Sequence, residues 1–186
     1  MNITVLFFII LIAAWLLEWF VFTESHEKKK EVWSKAVLLK GLLSFMFLCA
    51  VSAGFLISTF FESSSVLCKN IGLFFIGSGL LLRYWTYRFT KPYFTRTIIP
   101  SEDQPLYSSG PYRFTRHPFH TGFFLIAAGT CLFISGHWLS LLFTFIFVGS
   151  ALHYRMSLEE AFFQKKYGDI YVYWCRHRFR LVPFLY

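Results

Sequence analysis

The 186 residues suit a single domain, and 56% of them are hydrophobic, 22% aromatic and only 15% charged. An average soluble domain carries roughly 25% charged residues, so a water-soluble fold of this composition would expose far too much apolar surface; lipid is the natural solvent. The formal charge of +8 does not point to nucleic acid, because the basic residues lie between apolar runs rather than along one helix face or in an arm.

The first apolar run, about Ile3 to Phe22, carries Trp15 and Trp19 near its end. It has no basic leader and no small-residue cleavage site, so it reads as a retained first span. The second run covers about Gly41–Phe61 and the third about Ile71–Phe89. Each is close to the roughly 20 residues a helix needs to cross ~30 Å of hydrocarbon. None alternates with period two, which excludes membrane strands. Gly72, Gly77 and Gly79 in the third run read as close helix-packing positions, since no strand precedes them to make a nucleotide loop. Arg83 and Arg88, with Tyr84, Trp85 and Tyr87, read as snorkelling side chains in an aromatic belt at the end of that span.

The last apolar region, Phe119 to Leu152, is interrupted at Gly136-His137-Trp138. A hairpin with spans at about Phe119–Ile134 and Leu139–Leu152 is expected. The alternative, one long kinked helix, would extend ~51 Å and overshoot the membrane. The sequence thus predicts an all-α, polytopic membrane helical bundle of about five transmembrane helices with a cytosolic C-terminal helical tail. It forms one domain over residues 1–186. With five spans, seventeen of the eighteen Lys and Arg share one side, and Lys69 alone lies on the other. The positive-inside rule then puts the N-terminus outside and the tail in the cytosol, with the plasma or inner membrane as the default location. Cys49, Cys68, Cys131 and Cys175 show neither CxxC nor metal-ligand spacing, and no structural disulfide is expected.

Reactive side chains concentrate in residues 95–122 and from His153 onward. The hairpin brings its two ends together, so His117 and Glu159 become neighbours although 42 positions separate them. Gly110-Pro111 signals a turn, and Pro118 suits the first turn of a helix whose amide end, beside Arg116 and His117, favours an anion such as a carboxylate. The plain alternative is an interfacial Arg-His anchor. Arg155 and Glu159 stand four apart, the spacing of a helical ion pair. His117 and His120 form an HxxH to which no carboxylate stands at a metal-motif spacing, so no metal is expected.

Gly79-Leu80-Leu81-Leu82-Arg83-Tyr84-Trp85, Tyr93-Phe94-Thr95-Arg96-Thr97, Gly110-Pro111-Tyr112-Arg113 and Arg116-His117-Pro118-x-x-x-Gly122 resemble the isoprenylcysteine carboxyl methyltransferase family. Glu159-Glu160, Tyr167-Gly168-Asp169-x-Tyr171 and Pro183-Phe184 follow in family order and spacing. The likeness covers about residues 71–186, a methyltransferase-like core and tail; residues 1–70, the two N-terminal spans, share only apolar character. The resemblance implies a membrane transferase using S-adenosylmethionine from the cytosolic face. It implies a cofactor pocket of Gln104, Pro105, Leu106, Tyr107, Tyr112, His117, Pro118, Phe119, His120 and Glu159. Arg155 matches a family arginine placed at the methyl acceptor, with Glu160 beside it, and Arg116 or His117 is expected to hold the methionine carboxylate. A carboxylate acceptor needs no general base, whereas for a phenol, enol or amine His120 or Glu160 would serve. Gln104 and His120 stand where the family commonly has His and Tyr. The expected partners are a lipophilic or prenylated acceptor and membrane lipids, with no nucleic acid and no obligate protein. Two other readings stay open: an NADPH-dependent reductase related to the sterol reductases, against which Pro118 speaks, and a non-enzymatic scaffold.

Overall fold

The computed structural model describes residues 2–22, 30–61, 64–95, 98 and 103–181, with the backbone alone over 30–36. Among them are five helices long and apolar enough to cross a membrane. Helix α1 spans Ile3–Val21, α2 Lys30–Phe60, α3 Val66–Thr90 and α4 Pro118–Ser135. Helix α5 runs over Leu139–Tyr167 with one π turn at Phe145–Gly149, and a short α6 covers Asp169–Cys175. No strand occurs among the described residues; a single parallel bridge joins Thr115 to Phe179. The chain is a helical membrane bundle.

Helix α4 is its centre, with 78% of its apolar window buried against 6% for α1. The reason lies in two glycine pairs. Gly72 and Gly79 are seven residues apart and share one face of α3, and Gly122 and Gly129 do the same on α4. The helices run antiparallel with these faces in contact. A Cβ at Gly72 would stand 2.7 Å from the Gly129 carbonyl oxygen, and one at Gly79 would stand 2.6 Å from that of Gly122. Such backbone approach gains dispersion contact that larger residues would prevent. Gly77 differs from its expected role: a Cβ there meets nothing within 4 Å.

The hairpin between α4 and α5 is present. Gly136 takes the left-handed conformation, φ 61°, which ends α4 with the Gly136 N–H on the Leu132 carbonyl at 2.9 Å. Its own carbonyl accepts from Ser65 N–H at 3.0 Å, tying the turn to the start of α3. Helix α5 continues well past the expected boundary at Leu152, because its later residues are held by polar partners rather than by lipid.

Arg83 also departs from its expected role. It is buried, and its guanidinium meets the Glu18 carboxylate, with Nε donating to Oε2 at 2.7 Å and a second N–H to Oε1. It further donates to the Phe119 carbonyl at 3.1 Å and lies 3.7 Å above the Phe119 ring. The pair ties α1 to α3 and α4. Removing one partner of such a pair strands a charge in a low-dielectric interior, a cost of about 3–5 kcal/mol.

The glycine contacts make a directional prediction. Gly129→Val forces α3 and α4 apart and destabilises by about 1–3 kcal/mol. Gly77→Ala is neutral or stabilises by a few tenths up to about 1 kcal/mol, from helix propensity. Thermal unfolding of both variants in detergent measures this; equal midpoints would contradict the packing described.

Candidate functional site

The site is assembled where α4 begins. Pro118 occupies its first turn, and His117 caps it with φ −128° and ψ 61°, its carbonyl accepting from the His120 and Thr121 amides at 3.0 and 2.9 Å. His117 and His120 therefore project from the first turn with their rings 5.7 Å apart. The preceding segment is fastened by the chain's last described residues. Arg116 N–H donates to the Phe179 carbonyl at 2.8 Å, and Phe179 N–H to the Phe114 carbonyl at 3.0 Å. The Thr121 hydroxyl donates to the Leu181 carbonyl at 2.8 Å, and Arg178 Nε to that of Tyr112 at 2.7 Å. The indole N–H of Trp174 on α6 reaches the Tyr107 carbonyl at 2.9 Å. The Tyr167 hydroxyl and Lys166 Nζ, the latter at 3.1 Å, both donate to the Gln104 carbonyl.

Helix α5 presents Glu159 and Glu160 to this first turn. Consecutive helical residues point about 100° apart, so the two carboxylates serve different partners. Glu159 meets His120 Nε2 at 2.9 and 3.0 Å and Arg155 Nε at 2.9 Å, and lies 3.4 Å from His117 Nδ1. Glu160 meets His117 Nε2 at 3.1 Å, Arg180 Nε at 3.2 Å and Arg116 at 3.5 Å. Arg116 is also anchored to the carbonyls of Arg178 and Cys175, each at 3.0 Å.

A chamber of about 550 Å³ adjoins the cluster. Of the residues expected at the cofactor, Gln104, Pro105, Leu106, Tyr107, Tyr112, His117, Phe119, His120 and Glu159 line it, as do Arg116 and Arg155. Pro118 and Glu160 do not. Pro118 is fully buried in the first turn, and Glu160 faces His117 and Arg180. The chamber continues between α1 and α2, past Trp15, Leu16 and Trp19 on one side and Leu43, Phe47 and Leu48 on the other. Leu16, Trp19 and Leu48 are each about 60% exposed on the bundle's lipid-facing surface, so this flank is the apolar one.

Three contributors were missed in the sequence. Glu18 and Arg83 line the chamber as an ion pair, and Arg180 completes the shell around Glu160. One signal was available: Glu18 is the single charge in an otherwise apolar first span, which in a membrane marks a paired or functional group. Arg180 gave none, since its partner lies 20 positions away beyond a turn. Of the sequence motifs, Arg96, Thr97, Pro183 and Phe184 lie outside the described residues.

Electrostatics separates the two histidines. Burial alone would lower the His117 pKa, but hydrogen bonds and charge from Glu159 and Glu160 outweigh it and raise the pKa above its ordinary value. Both ring nitrogens face carboxylates, which favours the protonated ring over the neutral one. Burial, then the Glu159 charge, pushes the Tyr112 hydroxyl well above its usual range, which keeps it a neutral donor at the chamber wall.

His117, His120 and Glu159 also offer ligand atoms within 4.8 Å of one another. The fold supplies the carboxylate that sequence spacing did not. A metal ion there would nevertheless have to take Glu159 from Arg155.

Residues 71–165, which carry most of α3, all of α4 and the two glutamates, match the model of the isoprenylcysteine carboxyl methyltransferase (ICMT) family. The chain belongs to this family. No curated protein matches it. ICMT proteins are methyltransferases, and the matched stretch includes the chamber-lining residues from Arg83 to Glu159, most of its polar end. The N-terminal helices, which supply its apolar flank, lie outside the match.

The raised His117 pKa has a testable sign. A group whose folded pKa exceeds its unfolded value of about 6.5 contributes stability that is full below about pH 6.5 and is lost as pH rises through the folded pKa. Glu159, Glu160, His120, Arg116 and Arg180 are the titratable or charged groups that surround it. An NMR titration of the His117 ring should give a midpoint above 6.5, and the thermal midpoint should fall on the alkaline side less steeply in His117→Gln. A midpoint at or below 6.5 would contradict the double carboxylate contact.

Proposed function

We propose that this protein is a membrane-embedded methyltransferase that takes S-adenosylmethionine at the polar end of the chamber and a lipophilic acceptor from its apolar flank. The observation that carries the reading is a single cavity with a carboxylate-and-tyrosine end and an aromatic, lipid-side end, in a chain of the ICMT family. Its volume is that of an ordinary small-molecule site.

The residues present fit the cofactor. Tyr107 and Tyr112 stack at 5.5 Å between centroids and offer aromatic faces near the Glu159 carboxylate, an environment that attracts a cation such as a sulfonium or ammonium. Glu159 would hold the amino group or ribose, and Gln104, Pro105, Leu106, His120 and Phe119 would complete the walls. Arg116 and the charged His117 would meet the methionine carboxylate. When bound, S-adenosylmethionine supplies an electrophilic methyl group on a positively charged sulfur. The protein's part is to align the partners and exclude water. Arg155, fixed by Glu159, would orient the acceptor's polar end, while Trp15, Phe47 and Phe123 would receive its apolar body.

Seventeen of eighteen basic residues on one side favour a cytosolic polar end with the N-terminus outside, in a plasma or inner membrane. A cofactor made in the cytosol and an acceptor dissolved in the bilayer would then reach the same cavity from opposite directions.

Calorimetric titration of the protein in detergent tests the reading. S-adenosylhomocysteine should bind and NADPH should not, and Glu159→Ala should weaken S-adenosylhomocysteine by about tenfold or more, the loss of one charged hydrogen bond. Binding of NADPH alone would replace this reading with a reductase; unchanged affinity in Glu159→Ala would remove that residue from the pocket.

A further inference from the structure

The two histidines at the start of α4 are not equivalent. His117 has a carboxylate at each nitrogen, Glu159 3.4 Å from Nδ1 and Glu160 3.1 Å from Nε2. Both of its nitrogens are therefore turned to carboxylates, and neither is open to a guest. His120 has Glu159 at Nε2 only, with both carboxylate oxygens within 3.0 Å. An ionised carboxylate accepts, so Nε2 carries the hydrogen and the lone pair sits on Nδ1. That nitrogen has no hydrogen-bond partner among the described residues, although His120 is more than nine-tenths buried and lines the chamber. A carboxylate that fixes an imidazole tautomer and leaves the other nitrogen unpartnered, on a side chain that lines a cavity, is the arrangement of a general base.

We propose that the acceptor is a lipophilic molecule ending in a neutral, weakly acidic O–H or S–H group, a phenol or a thiol, and that His120 Nδ1, held by Glu159, takes its proton. This rests on the methyltransferase reading above. The acceptor's O–H or S–H bond breaks with its proton going to His120 Nδ1 and its electron pair to the methyl carbon. The bond from that carbon to sulfur breaks and leaves its electrons on sulfur, giving a methyl ether or thioether, S-adenosylhomocysteine and an imidazolium that returns its proton to water. A carboxylate acceptor needs no such base, because it arrives already ionised.

The test uses the full chain in lipid nanodiscs with S-adenosylmethionine and three acceptors on the same alkyl chain: a phenol, a thiol and a carboxylic acid. The phenol or the thiol should be methylated faster than the acid, and His120→Gln should lower that rate on the order of 100-fold while changing the acid's rate far less. A second readout needs no turnover. An alkyl nitrophenol bound without cofactor should be more ionised, by its visible absorbance, in the unaltered protein than in His120→Gln at the same pH. Methylation of the acid as fast as of the other two, or a His120→Gln variant that matches the unaltered protein in both readouts, would overturn the proposal. Binding of S-adenosylhomocysteine with none of the three methylated would overturn the acceptor class and leave the cofactor reading standing. No binding of S-adenosylhomocysteine would sink both.

Discussion

Two adjacent carboxylates held away from water must be satisfied locally, and that requirement shapes the polar half of this protein. Glu159 and Glu160 leave α5 in directions about 100° apart. One is met by His120 and Arg155, the other by His117, Arg180 and Arg116. An unpaired buried charge costs several kcal/mol, so the arginines and histidines must be in place for α5 to carry its helix past the membrane. The return of residues 174–181 across the start of α4 follows from the same need. It delivers Arg180 and anchors Arg116, and its side chains and backbone together fasten the Tyr107–Arg116 segment that walls the chamber.

The apolar half obeys a different constraint. No hydrophobic force drives helices together in lipid, so close contact must come from packing. Four glycines supply it between α3 and α4, and the buried Arg83–Glu18 pair attaches α1 to that core. The chamber lies where these two halves meet. Its walls pass from carboxylate and tyrosine to tryptophan and phenylalanine within one cavity, which is what a reaction between a water-soluble donor and a membrane-dissolved acceptor requires.

What was legible in the sequence is what depends on short-range pattern. Five apolar runs of spanning length gave the five helices, Gly136 gave the turn, and the spacing of Arg155 and Glu159 gave their ion pair. The meeting of His117 with the twin glutamates was legible too, because a hairpin has only one way to bring its ends together. Contacts that depend on which helices pack side by side were not. Arg83 sits in a belt of Tyr and Trp that reads as an interface, and only the approach of α1 shows that it turns inward to Glu18, 65 positions away. Gly77 carries the same residue type as Gly72 and Gly79 but faces away, since helical phase, not composition, decides which glycines meet α4. The metal-like grouping of HxxH with Glu159 was hidden for the same reason, as its third member comes from another helix.

Direct contact between the first turn of α4 and the glutamates of α5 holds the polar end together. A double-mutant cycle on His120→Ala and Glu159→Ala, read as unfolding free energy in detergent, measures that contact. The expected coupling is about 1–3 kcal/mol, as for residues sharing one buried network. Additivity within about 0.3 kcal/mol would contradict it.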